Sequence, residues 1–517
     1  MSGSILLTGG RLPGSDAPVD VRVIDGVIDA IVPSRESSRD LAAGVPALDL
    51  DGRWIVPGLW DNHVHFSQWA AVSRRLDVGG AGSAAETVAI VARAVAASGA
   101  GGGVEAGIPS HVDGPMGGAA AEMLVGYGFR DGLWGDEPTA AALDSVSGIR
   151  PVVLVSGDLH CCWLNTAALA QFGLAGHPTG LLREDEAFAV HRALDDAPAE
   201  TVDAWAREAA QAAAARGVVG IVDLEMAWNR EVWERRLDAG HDALRVEFGV
   251  YPQHLERAIG ERMRTGDAIG RPVEGESLVR VGPAKIITDG SLNTRTAYCF
   301  DEYPGLAGSP NAHGLLTIAP EDLAALLERA VGAGFVPAVH AIGDHANRLV
   351  LDAFEAAGCG GALEHAQLVA ESDFVRFAPL GVTASVQPEH AMDDRDVADR
   401  YWAGRTGRSF ALASLLEAGA TLALGSDAPV APLDPWITMA AAVGRARDGR
   451  EPWHPEQRIP VQAALAASAR GRRGIEVGAP ADLAVAELDP YAATPAALRA
   501  TPVALTLLAG RPTHSTL

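Results

Sequence analysis

Short apolar segments and helical segments alternate along the chain, most regularly from Gly217 onward. Helical segments such as residues 321–332, 347–357 and 409–418 separate several of the apolar ones. Strands that alternate with helices pair in parallel, and eight of them can close a barrel. Eight apolar segments have the length of buried strands, and they cover residues 55–64, 218–224, 245–251, 281–287, 335–340, 361–365, 382–386 and 421–426. The sequence therefore predicts an α/β fold, a (β/α)8 TIM-like barrel.

Both ends of the chain contain further strand-like segments. Residues 19–24 and 27–32 are joined by Asp25-Gly26, which is typical of a two-residue hairpin turn. Residues 481–487 and 503–510 have a similar apolar character. We therefore expect the two ends to build one small β-sandwich together.

This reading divides the chain into three parts. Residues 1–56 and 470–517 would form the composite β-sandwich, and residues 57–469 would form the barrel. Residues 67–215 would be a long insertion after the first barrel strand, because so long a connection within a compact domain usually has a function of its own. We expect this insertion to be a lid or a side domain.

Composition limits the partners of the protein. A net charge of -25 argues against nucleic acid and anionic membrane surfaces, so we expect a small-molecule substrate. Four cysteines in 517 residues are too few for a disulfide framework, which favours a reducing, cytoplasmic location. No uncharged apolar run reaches the length of a membrane span, so no membrane partner is predicted either.

Lys285 is the only lysine, since the other 40 of the 41 Lys and Arg residues are arginine. A guanidinium keeps its proton, whereas a buried amine can lose it. A neutral amine can add carbon dioxide to form a carbamate, whose two oxygens can hold two metal ions. A lysine paired with a carboxylate is the simpler alternative. The position of Lys285 at the end of a predicted barrel strand favours the carbamate.

Other residues with metal-binding side chains also lie at the ends of predicted strands. His63 and His65 end the first strand two positions apart, so their side chains point to the same side. The fifth, sixth and eighth strands end in His340, His365 and Asp427. Because strand ends surround one site in such a barrel, we expect all of these residues to meet near Lys285. They suit one or two divalent cations, with zinc as the first candidate.

As a group, these motifs resemble one known family. They occupy residues 57–66, 285–291, 340–344, 364–367 and 425–429. The set resembles the amidohydrolase superfamily, and within it the YtcJ-like branch called amidohydrolase family 3, over nearly the whole chain. The resemblance implies a homodimer that hydrolyses a non-peptide amide, such as an N-substituted formamide, an N-acyl amine or a cyclic amide. It implies metal-ligand roles for His63, His65, Lys285, His340, His365 and Asp427.

The predicted chemistry is metal-assisted hydrolysis, with Asp427 as the base that later protonates the leaving amine. His390 is a candidate donor to the substrate carbonyl, and Arg295 is a candidate anchor for a substrate carboxylate. The alternatives are that His390 braces the barrel rim and that Arg295 pairs with an acidic loop. His160 and Trp163 are candidate substrate-binding residues, although a hydrogen-bonded histidine and a core tryptophan would explain them equally well.

Two other functions fit the same residues. One is a lyase whose metal ions stabilise an enolate-like intermediate. The other is a catalytically silent metal-binding regulator on the same barrel. An intact Asp427 favours an enzyme over a silent regulator, because a regulator has no need of a base.

Overall fold

The computed structural model describes residues 3–34, 44–99, 123–131, 134–157, 161–183, 185–195, 197–273 and 275–517. The chain forms two compact units. One unit comprises Met1–Phe66 together with Arg207–Leu517, and the other comprises Ser67–Ala206.

Strands from both ends of the chain pair in one mixed sheet of eight strands, which we call the composite sheet. The strands are β1 (Ile5–Arg11), β2 (Pro18–Ile24), β3 (Val27–Pro33), β4 (Ala47–Asp49), β5 (Trp54–Pro57), β20 (Leu483–Ala486), β21 (Val503–Leu508) and β22 (Arg511–Ser515). Their order is β22-β21-β20-β5-β1-β2-β3, with β4 beside β1. The two ends therefore share one sheet, as expected, whereas the two facing layers of a sandwich stay a prediction.

The predicted hairpin at Asp25-Gly26 is confirmed. Ile24 pairs with Val27, and both turn residues have positive φ angles, 47° for Asp25 and 79° for Gly26. A type I′ turn needs this conformation at both central positions, and Gly adopts it without strain. In the strand before the turn, Val21 is fully buried, which fits the alternation of apolar and polar residues in that part of the sequence.

The barrel is a second sheet, in which eight consecutive neighbouring strands are all parallel. Its strands are β6 (Leu59–Val64), β12 (Val218–Asp223), β13 (Arg245–Val250), β15 (Val279–Ile287), β16 (Pro337–Ala341), β17 (Gly361–His365), β18 (Val382–Val386) and β19 (Leu422–Leu424). They pair in the order β19-β18-β17-β16-β15-β13-β12-β6. The short β14 (Ala268–Ile269) pairs with β15 at one side. Parallel strands thus lie at all eight predicted positions, although the first begins later than residue 55.

The first and last strands of this order, β19 and β6, approach each other and nearly close the barrel. The amide of Asp427 donates to the carbonyl of His63 at 2.7 Å, and the amide of His65 donates to the carbonyl of Ala428 at 2.8 Å. The side chain of Asn62 donates to the carbonyl of Leu424 at 2.8 Å. The closure therefore lies beside two of the predicted metal ligands.

The first predicted barrel strand, residues 55–64, is wrong as one element, because the chain changes sheet at Gly58. The Gly58 amide donates to the carbonyl of Asp482, just before β20 of the composite sheet, whereas the Leu59 amide donates to the carbonyl of Gly217 beside the barrel. A Cβ atom on Gly58 would lie only 2.5 Å from a methyl group of Val219. Only glycine fits this close approach, and an apolar run does not reveal such a break.

Helices cover the outside of the barrel. In α10 (Asp344–Ala357), Val350, Leu351 and Phe354 are buried and pack in one core with strand residues such as Leu363. Burying each of these side chains contributes about 2 kcal/mol. Gly358 ends the helix with a left-handed φ of 59°.

Nine further helices belong to the larger unit. They are α7 (Asn229–Asp238), α8 (Pro252–Gly260), α9 (Pro320–Gly332), α11 (Phe377–Leu380), α12 (His390–Tyr401), α13 (Leu412–Glu417), α14 (Pro435–Gly444), α15 (Val461–Ala467) and α16 (Pro495–Arg499). Two others, α1 (Phe66–Val72) and α6 (Ala199–Ala214), cross the division between the units. Within the described residues, no helix combines the length and the apolar character that a bilayer crossing requires.

The smaller unit has its own sheet and core. The strands are β7 (Leu76–Asp77), β8 (Leu124–Phe129), β9 (Val152–Ser156), β10 (Cys161–Leu164) and β11 (Leu181–Arg183). They pair in the order β11-β10-β9-β8-β7. The helices are α2 (Ala84–Gly99), α3 (Ala140–Ser147), α4 (Thr166–Gln171) and α5 (Asp185–Asp195). The unit ends at Ala206, nine residues before residue 215, and the bounds of the insertion stay a prediction. A role as a lid stays a prediction.

Trp163 lies in the core of the smaller unit. Its ring is fully buried, packs near Phe129 and Trp134, and donates its N–H to the carbonyl of Thr139 at 2.9 Å. These contacts correct the expectation of a substrate-binding role, because they leave no indole surface for a substrate. His160 lies outside the described residues.

Candidate metal centre

The candidate ligands converge at the C-terminal ends of the barrel strands. His63 lies in β6, Lys285 in β15, His340 in β16 and His365 in β17, while Asp427 follows β19. The ring centroids of His63 and His365 are 5.0 Å apart, and those of His340 and His365 are 4.4 Å apart. We call this set, together with His65, the candidate centre.

Asp427 lies between the histidines. One carboxylate oxygen, Oδ1, is 3.4 Å from Nε2 of His63 and 3.4 Å from Nε2 of His65. The other, Oδ2, is 3.9 Å from Nε2 of His390. A single carboxylate thus faces three imidazoles, an arrangement that suits a ligand shared between cations.

Two sets of side chains could each hold one ion, because their ligand atoms lie within 4.8 Å of one another. The first set is His63, His65 and Asp427, all three of which are predicted metal ligands. The second set contains the predicted ligands His365 and Asp427 together with His390, which the sequence predicts as a donor to the substrate and not as a ligand. The ring of His340 instead has Nε2 at 3.3 Å from Asp289.

Lys285 is buried, and its amine has no hydrogen-bond partner among the described residues. Burial lowers the pKa of this amine, and the charges of Glu364 and Asp427 oppose that shift only in part. The alternative of a lysine paired with a carboxylate is therefore not supported, since Lys285 forms no such pair with any residue that the structure describes.

Other buried nitrogens in the candidate centre, and one of the neighbouring His390, also lack a hydrogen-bond partner. Four histidine nitrogens have no hydrogen-bond partner in the part of the chain that the structure describes, namely His65 Nδ1, His340 Nε2, His365 Nδ1 and His390 Nε2. An unsatisfied buried polar group costs about 1–3 kcal/mol, so a cluster of them calls for an explanation. A bound divalent cation accounts for such a cluster, because imidazole and carboxylate are its usual ligands.

The backbone is strained at two of the candidate ligands. His365 has a φ of 74° and Asp427 has a φ of 57°, values that non-glycine residues adopt rarely. Strain of this kind persists where the surrounding structure holds it, and it is common at functional sites.

The neighbouring histidines explain why the carboxyl group of Asp427 is ionised. Burial alone would raise the pKa of this carboxyl, but His63, a hydrogen bond from His65 and the charge of His365 outweigh burial and hold the pKa well below its usual range. The carboxylate is therefore ionised at neutral pH, as a metal ligand must be.

Three buried carboxylates beside the candidate centre were not among the predicted site residues. Glu364 Oε2 contacts His63 Nδ1 at 2.6 Å. Asp289 Oδ1 contacts His340. Asp61 accepts from the amides of Ser426 and His63, and burial raises its pKa to about 7. Each lies within a few positions of a predicted ligand, but sequence spacing does not show which acid faces which ring.

Arg295 lies in the loop after β15 with its guanidinium 5.5 Å from the ring centre of Tyr401. This cation–π contact differs from the acidic-loop partner considered as the alternative. An anchoring role toward a substrate carboxylate stays a prediction.

Comparison with known proteins identifies the family. The model of the amidohydrolase family matches residues 47–514, which is most of the chain. The chain belongs to the amidohydrolase family. The resemblance inferred from the motifs is thereby confirmed, and with the candidate ligand sets it supports a metal-dependent hydrolase.

Individual relatives of this amidohydrolase align over nearly their whole length. Putative amidohydrolase YtcJ of Bacillus subtilis is 26% identical, covering 90% of this chain and 89% of its own. The N-substituted formamide deformylase of Arthrobacter pascens is also 26% identical, covering 94% and 93%. A solved metal-dependent hydrolase from Pyrococcus horikoshii superposes with a TM-score of 0.74 at 22% identity, covering 95% and 99%, which shows the shared fold.

Proposed function

We propose that this amidohydrolase uses bound metal to cleave a carbon–nitrogen bond in a small non-peptide amide. The candidate substrates are N-substituted formamides, N-acyl amines and cyclic amides. The observation that carries the proposal is the convergence of imidazoles, the Asp427 carboxylate and the unpartnered Lys285 amine at one end of the barrel. The name of the Arthrobacter relative, a deformylase of N-substituted formamides, supports this class of bond.

The donor set fits one or two divalent cations, with zinc as the first candidate. His63, His65 and Asp427 would hold one ion, and His340 and His365 would hold the other. A bound cation would supply Lewis acidity, which lowers the pKa of a coordinated water and polarises a carbonyl group.

Lys285 would bridge the two ions as a carbamate. Its lowered pKa increases the fraction of neutral amine at neutral pH. The nitrogen lone pair would form a bond to the carbon of carbon dioxide, and one N–H proton would leave to solvent. The product would carry one negative charge on two oxygens, which are suitable ligand atoms for divalent cations.

Asp427 would act as the base. As an ionised carboxylate, it would accept a proton from the attacking water and pass it to the leaving amine. His390, whose Nε2 is 3.9 Å from Asp427, would donate to the substrate carbonyl oxygen. Arg295 would bind a carboxylate on substrates that carry one.

The test is a hydrolysis screen of formamides, N-acyl amines, lactams and esters with zinc or manganese present. We expect at least one amide class to be cleaved, and the activity to disappear when a chelator removes the metal. Turnover of esters alone, or activity that survives chelation, would overturn the proposal.

Asp427→Asn is the decisive variant, because it removes the base and keeps the shape of the side chain. We expect kcat to fall roughly 100- to 10,000-fold. Asp20→Asn is a matched control, since Asp20 is also buried and accepts a backbone amide, but in the composite sheet. An Asp427→Asn enzyme as active as this control would contradict the hydrolytic mechanism.

A further inference from the structure

Arg445, the residue that ends α14, is a buried cation without an acidic partner. Its side chain is completely shielded from solvent, and it forms no ion pair with any residue that the structure describes. Its Nε donates to the carbonyl of Trp453 at 3.1 Å, and its Nη1 donates to the carbonyl of Phe410 at 3.2 Å. Its Nη2 has no hydrogen-bond partner among the described residues. Neutral carbonyl groups thus satisfy two nitrogens and leave the charge without a counter-charge.

A second cation, Arg395 of α12, lies near Arg445. Its Nη1 donates to the carbonyl of Glu451 at 2.9 Å, two residues before Trp453. Its Nε is buried and also has no hydrogen-bond partner in the described part of the chain. Burial lowers the pKa of Arg445 to about 10, the charge of Glu456 opposes this shift, and the charge of Arg395 adds to it. Arg445 therefore stays charged at neutral pH, beside another positive charge.

A third donor without a partner belongs to the segment that binds Arg445. Ser409 is fully buried, and none of the described residues offers its Oγ a hydrogen bond. It immediately precedes Phe410, whose carbonyl accepts from Nη1 of Arg445. Because an unsatisfied buried donor is unfavourable, three of them in one region indicate a common acceptor.

The acidic side chains around Arg445 are engaged elsewhere. Glu456 contacts Nδ1 of His454 at 2.7 Å, and Asp399 accepts the indole N–H of Trp453 at 3.0 Å. The Trp453 ring itself lies 5.5 Å from the guanidinium of Arg445 and offers only the partial charge of its face. A buried charge is costly unless it is paired, so an anion from outside the chain would stabilise this region.

We propose that Arg445, Arg395 and Ser409 form a binding site for one small inorganic anion, with chloride as the occupant. A monatomic anion fits because the three unpartnered donor atoms are shielded from solvent, which leaves no room for the rest of a larger organic acid. Chloride accepts several N–H and O–H groups at once and supplies the missing negative charge. The site contains no candidate metal ligand, so the inference does not depend on the proposed function.

Thermal unfolding of the wild-type protein tests for the site. Sodium chloride replaces sodium gluconate stepwise at constant ionic strength, so that screening of surface charges stays the same. We expect the midpoint of unfolding to rise along a saturating curve by about 1–3 °C in total, and bromide to act like chloride. The titration is repeated after chelator treatment, which removes any metal that could bind the halide. No rise, a rise without saturation, or a rise that chelation abolishes would overturn the proposal.

Variants show whether the effect comes from this region. Arg445→Met removes the central cation, and we expect the chloride dependence to disappear. Arg458→Met is a matched control, because Arg458 is exposed and donates its Nε to the carbonyl of Gly444 at 3.1 Å, at the same end of α14. We expect this control to keep the full dependence. Equal chloride dependence in the two variants would contradict the assignment.

Arg395→Gln is the milder variant, since Arg395 is only half-buried and the fold does not depend on enclosing its charge. We expect it to weaken chloride binding roughly tenfold, because one charged donor is lost. An unchanged titration midpoint for chloride would exclude Arg395 from the site and overturn the proposal in its present form.

Anomalous diffraction from wild-type crystals soaked in sodium bromide locates the ion without any variant. We expect a bromine peak in contact with Nη2 of Arg445 and Oγ of Ser409. Peaks at the protein surface only, or a water molecule in this position, would overturn the proposal even if Arg445→Met failed to fold.

Discussion

Glu389 and His390 are adjacent in the chain, but their surroundings differ completely. Glu389 is buried and receives hydrogen bonds from Arg447 at 2.8 Å and from both terminal nitrogens of Arg499, at 2.9 and 2.7 Å. His390 is also buried, yet its Nε2 has no hydrogen-bond partner among the described residues. We call the group of Glu389, Arg447 and Arg499 the arginine cluster.

The difference shows how a structural site and a functional site use buried polar groups. In the arginine cluster the charges satisfy one another, and the pKa of Arg447 is raised because Asp393 and Glu389 outweigh the effect of burial. In the candidate centre and at His390, several buried nitrogens have no partner among the described residues, and under the proposed function a bound metal would complete their surroundings. Substitutions in the arginine cluster should therefore lower the stability of the protein, whereas substitutions in the candidate centre should lower its activity and leave its stability unchanged or higher.

The largest effect is expected at Lys285. Lys285→Met removes a buried amine that has no hydrogen-bond partner among the described residues, so the metal-free protein should be at least as stable as the wild type. Metal content should fall, and kcat/KM should fall roughly 100-fold or more, because the proposed bridging ligand would be lost. Metal analysis, thermal unfolding and kinetics measure the three quantities.

Lys285→Arg is the matched control for charge. It keeps a cation but cannot form a carbamate. Wild-type activity in this variant would show that the carbamate is not needed.

The next effect is expected in the arginine cluster. Glu389→Leu leaves two arginines facing a buried apolar side chain, and the free energy of unfolding should fall by about 2–4 kcal/mol, the arginines keeping partial contact with water. Chemical denaturation measures the change. Combining it with Arg499→Met should recover part of the loss, and strictly additive losses would mean that the pair does not interact.

The smallest effect concerns a buried histidine that has a partner. Burial lowers the pKa of His241 from 6.5 to about 4, so the unfolded chain binds a proton that the folded chain does not. The contribution to stability is present above pH 6.5 and is lost as the pH falls toward 4. It amounts to at most about 3 kcal/mol.

His241→Gln removes this titration. Comparing the pH dependence of unfolding of the variant with that of the wild type isolates the contribution of one ring. Parallel curves between pH 4 and 6.5 would show that the pKa of His241 is not depressed.

The sequence predicts the barrel well because its strands are short apolar runs with helices between them. The sequence also predicts that five candidate ligands lie together at one end of the barrel, because the C-terminal ends of parallel strands meet there. These ligands are His63, His65, His340, His365 and Asp427. The predicted domain boundary after residue 56 lies close to the change of sheet at Gly58, but the apolar residues on both sides of Gly58 hide the break within the strand predicted for residues 55–64. Trp163 is misjudged for a related reason, because a tryptophan after a buried strand is equally common in a core and in a pocket.

The partners of the site residues were beyond prediction from one sequence. Glu364 precedes His365 in the chain but contacts His63, on the first barrel strand. Asp289 lies near Lys285 in the chain but faces His340. Such contacts depend on the register between strands, which the order of residues along each strand does not contain.

The pairing of β5 with β20 has a consequence for how the protein is made. During synthesis the N-terminal strands leave the ribosome long before the residues that complete their sheet. Until β20 and β21 have been translated, the β5 side of the sheet is an open edge that can recruit other chains. Premature termination within the last barrel helices should thus yield an aggregating product, not a shortened enzyme.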